Sequence, residues 1–368
     1  MNVEHAVAAV PRAASDDRAY CRSALPRVSR TFAINIRLLG GTMRESVRVA
    51  YLLCRAADAL EDSWPGDAQA IRRRFEEFMR AIAGDGAAAA ELARAASALG
   101  AARLDLDLVA NLPRVLRVFA SLPPGDRAAI LEGVQIMARG MSHYAARAAE
   151  RTPASGEPAA YLDDERELHD YCWVVAGCVG VMLTRLFTHR SPGPTSRDEA
   201  RRFELAPVVG ESLQLTNVLL DWPIDVRRGR CHVPARWLAE FGLAPRDLVS
   251  DARAGDSGDA AGASEDLAPP GPVRAIASRL EGLARAALAR VPDYLDTLPT
   301  RHVRYRLFCL WPSLWALASL ENARRDPRFP WGPRRPRLPR GELYRVALGS
   351  FLKVRDGKSL RRLYAEIG

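Results

Sequence analysis

The stretch that most constrains the fold is residues 214–230, with the sequence QLTNVLLDWPIDVRRGR. Its polar residues Gln214, Asn217, Asp221 and Asp225 recur at intervals of three and four, so an α-helix would place them on one face. Apolar residues fill most positions between them, which predicts a largely buried helix. An unpartnered buried carboxylate costs roughly several kcal/mol. These acids therefore require either arginine partners or bound cations, and this stretch alone leaves both interpretations open.

A second acidic cluster lies upstream, near the end of another predicted helix. Asp58, Glu61 and Asp62 are spaced i, i+3 and i+4, and Tyr51 and Arg55 continue the same face. Acids at a helix C-terminus oppose the helix dipole by about 0.3–1 kcal/mol each, and a bound cation removes that conflict. The alternative interpretation is a set of solvated surface acids.

The two clusters share one arrangement. Pro223 is expected to kink or end the downstream helix, which again places carboxylates at a C-terminal end. Two such helices are typical of a site where several Mg²⁺ ions bridge carboxylates to a polyphosphate. Arg227, Arg228 and Arg230 follow directly, and they either hold the anion or form a basic surface turn.

Helical periodicity runs through the chain and strand-like alternation is absent, so the sequence predicts an all-α protein. Thr42 and Glu45 are predicted to form a capping box at the start of the helix that carries Asp58. Predicted helices include residues 71–83, 87–102, 108–122, 127–147, 161–189, 273–298, 302–322, 343–352 and 359–367. Predicted regions are a disordered N-terminus over 1–15, one domain over 16–368, a flexible insertion near 250–272 and an irregular flap over 326–341.

Composition excludes several function classes. The net charge is +9, but the arginines are spread along the chain and do not form one stripe interleaved with aromatic residues, so nucleic-acid binding is not predicted. The six cysteines show no CxxC pairing, which favours buried reduced thiols in a cytosolic protein. We see no signal-peptide pattern, and we expect no apolar run of the roughly 20 residues that a membrane-spanning helix needs. Residues 307–320 form the longest apolar candidate.

Other motifs with known chemistry are missing from the sequence. It contains no glycine-rich dinucleotide fingerprint, P-loop, nucleophile elbow or zinc-ligand spacing. Lone histidines such as His169 and His302 are interpreted as structural. The small-residue run AGCVG, at residues 176–180, predicts the close approach of a neighbouring helix or of a ligand.

Five motifs in a fixed order resemble the squalene/phytoene synthase family. They are VSRTFA at 28–33, YLLCRAADALED at 51–62, YCWVVAGCVGVMLTRLF at 171–187, LQLTNVLLDWPIDVRRGRCHVP at 213–234 and LFCLWPSLWALASL at 307–320. The resemblance extends from about residue 20 to residue 352, and its last motif is similar to squalene synthases. It implies an all-α isoprenoid-synthase bundle with a central cavity. The implied reaction joins two farnesyl diphosphates head to head through presqualene diphosphate to squalene.

The resemblance also implies roles for individual residues. The implied Mg²⁺ ligands are Asp58, Glu61, Asp62, Asn217, Asp221 and Asp225, and Gln214 is a polar neighbour of the second cluster. The implied contacts to the diphosphate are Ser29, Arg30, Arg55 and Arg230, while Tyr51 and Tyr171 assist proton removal or stabilise a cation. The implied apolar lining consists of Phe32, Val174, Cys178, Leu183, Phe308 and Trp311.

Two departures from the family pattern bear on the product. Leu220 stands where relatives usually have a basic residue, and Pro223 lies inside the second acidic motif. NADPH is the implied reductant, although residues 337–341 match the basic flap of squalene synthases only loosely. The alternatives are a phytoene-type or dehydrosqualene-type product, arrest at presqualene diphosphate, a hydroxylated product, or a non-catalytic family member. We expect a cytoplasmic protein with possible peripheral membrane contact, and the sequence does not predict an oligomeric state.

Overall fold

The computed structural model describes residues 12–64, 66–100, 104–193, 195–250 and 268–367. Within these ranges the chain forms 17 α-helices and one pair of two-residue strands, which confirms the predicted all-α class. The first eight helices are α1 Arg12–Val28, α2 Arg30–Arg37, α3 Gly41–Asp62, α4 Ala68–Ile82, α5 Gly86–Ala98, α6 Leu104–Ala110, α7 Leu112–Ala120 and α8 Pro124–Arg151. The others are α9 Glu165–Cys172, α10 Cys178–Thr188, α11 Ser196–Asp225, α12 Ala235–Glu240, α13 Gly271–Leu288, α14 Val291–Asp296, α15 Val303–Arg324, α16 Arg340–Lys353 and α17 Gly357–Ile367.

The chain divides into two compact units. The first unit comprises residues 1–65 and 73–138, and the second comprises residues 66–72 and 139–368. In the first unit α3 packs against α1, α6 and α7, and in the second α11 packs against α10, α13 and α15. Each of these two helices carries one of the acidic clusters, so each cluster is built on a helix with a buried apolar face.

The predicted terminal and insertion segments fall partly outside the described residues. Residues 1–11 and 251–267, which cover most of the predicted N-terminal disorder and of the predicted insertion, are not among them. Residues 12–15 belong to α1. The single domain predicted over residues 16–368 stays a prediction.

Glycines permit the close packing of α10 on α11. A Cβ atom on Gly210 would lie 2.1 Å from the carbonyl oxygen of Ala176, and one on Gly180 would lie 2.2 Å from that of Ala206. Both distances are too short for any side chain, so the two helix backbones touch only because these positions carry hydrogen atoms. A neighbouring helix therefore explains the small residues of the AGCVG run.

Several predicted boundaries were wrong for local reasons. Residues 108–122 and 273–298 each form two helices, and residues 173–177 form a π-helical turn between α9 and α10. The predicted capping box is absent, because α3 is capped by Gly40 without a side-chain hydrogen bond and Glu45 instead pairs with Arg18 at 2.8 Å.

The segment around the second acidic cluster also differs from expectation. Pro223 lies inside α11, which continues to Asp225 before a 3₁₀ turn ends at Gly229 with a positive φ of 85°. Residues 230–231 then pair in parallel with residues 159–160. This short bridge fixes the chain as it leaves the end of α11.

One continuous helical stretch, Glu165–Thr188, is long and apolar enough to cross a membrane by length and composition, so the expectation of no such run was wrong. Core helices of globular proteins pass the same test, and 44% of its apolar window is buried.

We predict that Gly210→Ala destabilises the protein by about 1–3 kcal/mol, because its new methyl group must separate two packed helix backbones. Gly282→Ala on α13 is the matched control, since nothing lies within 4 Å of the place its new methyl group would take and alanine favours the helix by about 0.5–1 kcal/mol. Urea denaturation followed by circular dichroism measures both. Equal stability of the two variants would contradict the packing argument.

Candidate active site

A helix break at Ser29 separates α1 from α2, and α2 packs against α3, the helix that carries the first acidic cluster. Ser29 caps α2, and its hydroxyl oxygen accepts a hydrogen bond from the backbone N–H of Phe32 at 3.2 Å. The Phe32 ring lies 5.1 Å from the Tyr51 ring. Burial raises the pKa of Tyr51 to about 12, so its phenol stays protonated at neutral pH. The predicted residues 29, 32 and 51 are thus brought together, whereas Arg30 is exposed.

Arg55 holds the acids of this cluster in place. Its guanidinium donates to both carboxylate oxygens of Asp105, at 2.9 and 3.3 Å, and to Asp58 at 3.3 Å. Asp105 lies on α6 and was not predicted from the sequence. A bidentate arginine–carboxylate pair has a fixed geometry, so Asp105 orients Arg55 toward Asp58.

Asp58 of the first cluster has a strongly raised pKa. Burial raises its pKa to about 7; the charge of Arg55 opposes this rise, and the charge of Asp62 adds to it. Glu61 is half-buried and Asp62 is exposed, one turn further along α3. Near neutral pH a part of Asp58 is therefore protonated, and a cation that binds here would compete with that proton.

The second cluster lies on the accessible side of α11. Gln214, Asp221 and Asp225 are half-buried and Asn217 is exposed, as the spacing of three and four predicts. Leu220 is 3% exposed and belongs to the core. Leu220, one of the two departures from the expected family pattern, therefore does not share the face of the acids.

Asp221 is neutralised by an arginine of the flap. The Nη1 atom of Arg335 lies 2.6 Å from a carboxylate oxygen of Asp221. The flap is irregular between α15 and α16, as predicted, and it is fastened to the end of α11 by Arg227. The guanidinium of Arg227 donates to the carbonyl oxygens of Gly332 and Trp331, each at 3.1 Å, so it positions the flap and is not free to hold an anion.

A buried polar chain runs from Tyr171 to the second cluster. The Tyr171 hydroxyl lies 3.1 Å from Nε2 of His232, and Nδ1 of His232 lies 3.7 Å from a carboxylate oxygen of Asp225. Burial, with a smaller effect of Arg230, lowers the pKa of His232 to about 3, so its ring is neutral. The rings of Tyr144 and Tyr161 pack edge-on against Tyr171 at 5.3 and 6.2 Å. This aromatic cluster fixes the orientation of the Tyr171 phenol.

The predicted apolar lining residues of the second unit differ in how deeply they are buried. Cys178, Phe308 and Trp311 are buried, with Phe308 packed edge-on against Phe187 at 5.7 Å. Val174 and Leu183 are half-buried, on the stretch that begins with the π turn. The central cavity implied by the resemblance stays a prediction.

The donor chemistry of both clusters suits a hard divalent cation. In the described part of the chain no three acid, histidine or cysteine side chains gather closely enough to form a complete metal site. Mg²⁺ does not require one, because it commonly binds one or two carboxylates together with waters and substrate phosphates. The half-buried carboxylates of Asp58, Asp221 and Asp225 fit such partial coordination.

Three residues that contact the predicted ones were not expected from the sequence. Asp105, His232 and Arg335 each contact a predicted residue from a distant position in the chain. His232 stands two positions after Arg230, and its place inside the motif at residues 213–234 was the one signal that could have found it. Residues 324–340 contain six further arginines, and no feature of the sequence singles out Arg335 among them.

Comparison with known proteins gives a consistent family match. Residues 25–342 match the family model of squalene/phytoene synthase. The Botryococcus squalene synthase of Botryococcus braunii is 25% identical over 353 residues, which cover 95% of this chain and 66% of that protein. The 15-cis-phytoene synthase of Synechococcus elongatus is 28% identical over 243 residues, covering 62% and 65%. The matched parts thus span about two thirds of the length of these relatives.

A solved structure confirms the fold. TcSQS in complex with the ligand BPH1237 superposes with a TM-score of 0.69 at 21% identity, covering 96% of this chain and 90% of that chain. At this identity the likeness extends to the arrangement of the helices and not to the roles of single residues.

We predict that Asp58→Asn raises the thermal stability of the metal-free protein most at alkaline pH. The folded-state pKa of about 7 lies above the ordinary value of 3.8, so the stabilising proton is bound at low pH and is lost as the pH rises through 7. The asparagine variant lacks this loss. Its gain in Tm over the parent should therefore shrink as the pH falls from about 8 to about 5.

Differential scanning fluorimetry in the presence of a chelator measures this difference. Glu204→Gln on the exposed side of α11 is the control and should show no such trend. A Tm difference for Asp58→Asn that is the same at all pH values would contradict the raised pKa.

Proposed function

The chain belongs to the squalene/phytoene synthase family, and from this premise we propose that it is a prenyltransferase that joins two farnesyl diphosphates head to head. The proposed sequence of products is presqualene diphosphate and then squalene. The observation that carries the proposal is the match over residues 25–342, within which both acidic clusters keep their carboxylates. A non-catalytic member of the fold would have no need to keep half-buried acids at the ends of two helices.

The acids and arginines would act on the departing diphosphate. Asp58, Asp62, Asp221 and Asp225 would hold Mg²⁺, which when bound neutralises the charge that develops on the leaving oxygens. Exposed Arg30 is available for bidentate contact with a phosphate. Arg55 is held by Asp105 and would keep Asp58 oriented while it binds the cation.

The aromatic and apolar residues would act on the carbocation. Tyr51 is a protonated phenol, so it contributes a ring face and a hydrogen bond and does not remove a proton from substrate in its resting state. Tyr171 presents its ring within the aromatic cluster, and its hydroxyl is oriented by His232. Val174, Leu183 and Phe308 would exclude water, which otherwise quenches an allylic cation.

NADPH is the proposed reductant of the second half-reaction. Exposed Arg337 of the flap carries chemistry suited to the phosphates of such a cofactor. When bound, NADPH would supply the hydride that yields squalene. A product that forms without reductant, of the phytoene or dehydrosqualene type, is the second candidate, because the relatives include a phytoene synthase.

Product analysis tests the substrate and the reductant together. We expect the purified protein with Mg²⁺ to convert farnesyl diphosphate to presqualene diphosphate, and to squalene when NADPH is added, as judged by mass spectrometry. Consumption of geranylgeranyl diphosphate in preference would support the phytoene-type alternative. If neither diphosphate is consumed, the proposed function is wrong.

Substitution of one acid in each cluster tests their role. Asp58→Ala and Asp221→Ala should each lower turnover of farnesyl diphosphate by at least about a hundredfold, since each removes a ligand of the leaving group's counter-ion. Their helical content should stay near that of the parent protein. Glu204→Ala, an exposed acid on α11, is the control and should keep full turnover. Unfolding of both cluster variants would instead indicate a structural role.

A further inference from the structure

The outer face of α16 is unusually apolar. Tyr344, Leu348, Phe351 and Leu352 are 57%, 68%, 44% and 93% exposed, and their spacing places them on one side of the helix. No other helix in the described residues exposes four large apolar side chains. A continuous patch of this kind marks an interaction surface, because scattered single residues and not clusters are normal on a monomer.

The inner face of α16 is fully packed. Val346 and Ala347 are buried, and the buried hydroxyl of Ser350 accepts a hydrogen bond from the Trp311 indole at 2.9 Å. The Trp315 indole donates to the carbonyl oxygen of Leu343 at 3.2 Å. The helix is therefore held on α15 by the polar and apolar contacts of its inner face. The apolar residues of the outer face are not needed for this packing.

The surrounding segment carries the entire net charge of the protein. Residues 324–368 contain 13 of the 53 arginines and lysines and four of the 44 aspartates and glutamates, a net charge of +9, so the remaining residues are neutral overall. Both lysines of the chain, Lys353 and Lys358, lie here. Arg355, Lys358 and Arg362 are exposed beside the C-terminal end of α16. A patch that is apolar at its centre and cationic around it matches a bilayer with anionic headgroups.

We propose that the outer face of α16 docks the protein on the surface of an anionic bilayer. The four apolar side chains would enter the boundary between headgroups and acyl chains, and the neighbouring arginines and lysines would contact the phosphates. A second copy of the chain is a poorer occupant, because a symmetric contact would bring two segments of +9 charge together.

The surface also suits the reaction proposed above, although docking does not depend on it. An oily substrate and a fully apolar product are poorly soluble in water, so an enzyme seated on a bilayer exchanges them with the lipid phase directly. Failure of the proposed reaction would leave the vesicle-binding result unaffected, and the two claims can therefore be rejected separately.

Co-sedimentation with vesicles tests the docking surface. The full chain should sediment with vesicles of phosphatidylcholine and phosphatidylglycerol, and the double variant Leu348→Ser with Leu352→Ser should bind at least roughly tenfold more weakly. Phe241→Ser, which changes a 43% exposed side chain on another element, is the matched control and should bind within about twofold of the parent. Binding should weaken with added salt and with pure phosphatidylcholine.

Parallel measurements keep the result interpretable. Circular dichroism of the double variant should match the parent, because neither substituted side chain is packed. Equal vesicle binding by the parent and the double variant would overturn the proposal. It would also be overturned if the parent does not bind vesicles but forms a dimer in light scattering, and the double variant does not form that dimer. Binding of the parent to DNA but not to anionic vesicles would also overturn it, and would assign the basic segment to nucleic acid.

Discussion

The constraint on which each acidic cluster depends is the placement of carboxylates at the end of a helix whose opposite face is buried. Such acids face a helix dipole of the wrong sign and little water, so each requires a positive partner. Arg55 supplies it for Asp58 and Arg335 for Asp221. Asp58 is only partly satisfied, and burial still holds its pKa near 7. That residual demand for positive charge is what suits these acids to a divalent cation.

Local periodicity was enough to predict the helices and the shared face of each acidic cluster, because spacing of three and four is a property of the backbone. The close packing of α10 and α11 was likewise predictable from the AGCVG run. The partners Asp105 and Arg335 were not predictable, since each pairs with a residue far away in sequence, whereas His232 lies inside the motif at residues 213–234 and was missed. The capping box failed for the same reason, because Glu45 forms a long-range ion pair with Arg18.

The overall composition does not show how unevenly the net charge is distributed along the chain. A count over all residues shows arginines everywhere and a moderate net charge, yet acids balance the arginines up to residue 323. The net charge of the whole chain therefore equals that of residues 324–368. The exposed apolar face of α16 was also not predictable from the sequence. The pattern of apolar residues along a helix does not show which of them pack against a neighbouring helix and which are exposed. The structure separates these cases by burial.

The ion pair between Arg335 and Asp221 links the flap to the end of α11. A carboxylate that is shared with an arginine is bound more weakly by any competing cation, and by reciprocity the competing cation weakens the hold of the arginine. The flap is also tied to α11 by Arg227, whose carbonyl partners do not compete for that charge. A cation that bound Asp221 would therefore loosen the contact of Arg335 and leave the flap held to the end of α11 by Arg227 alone.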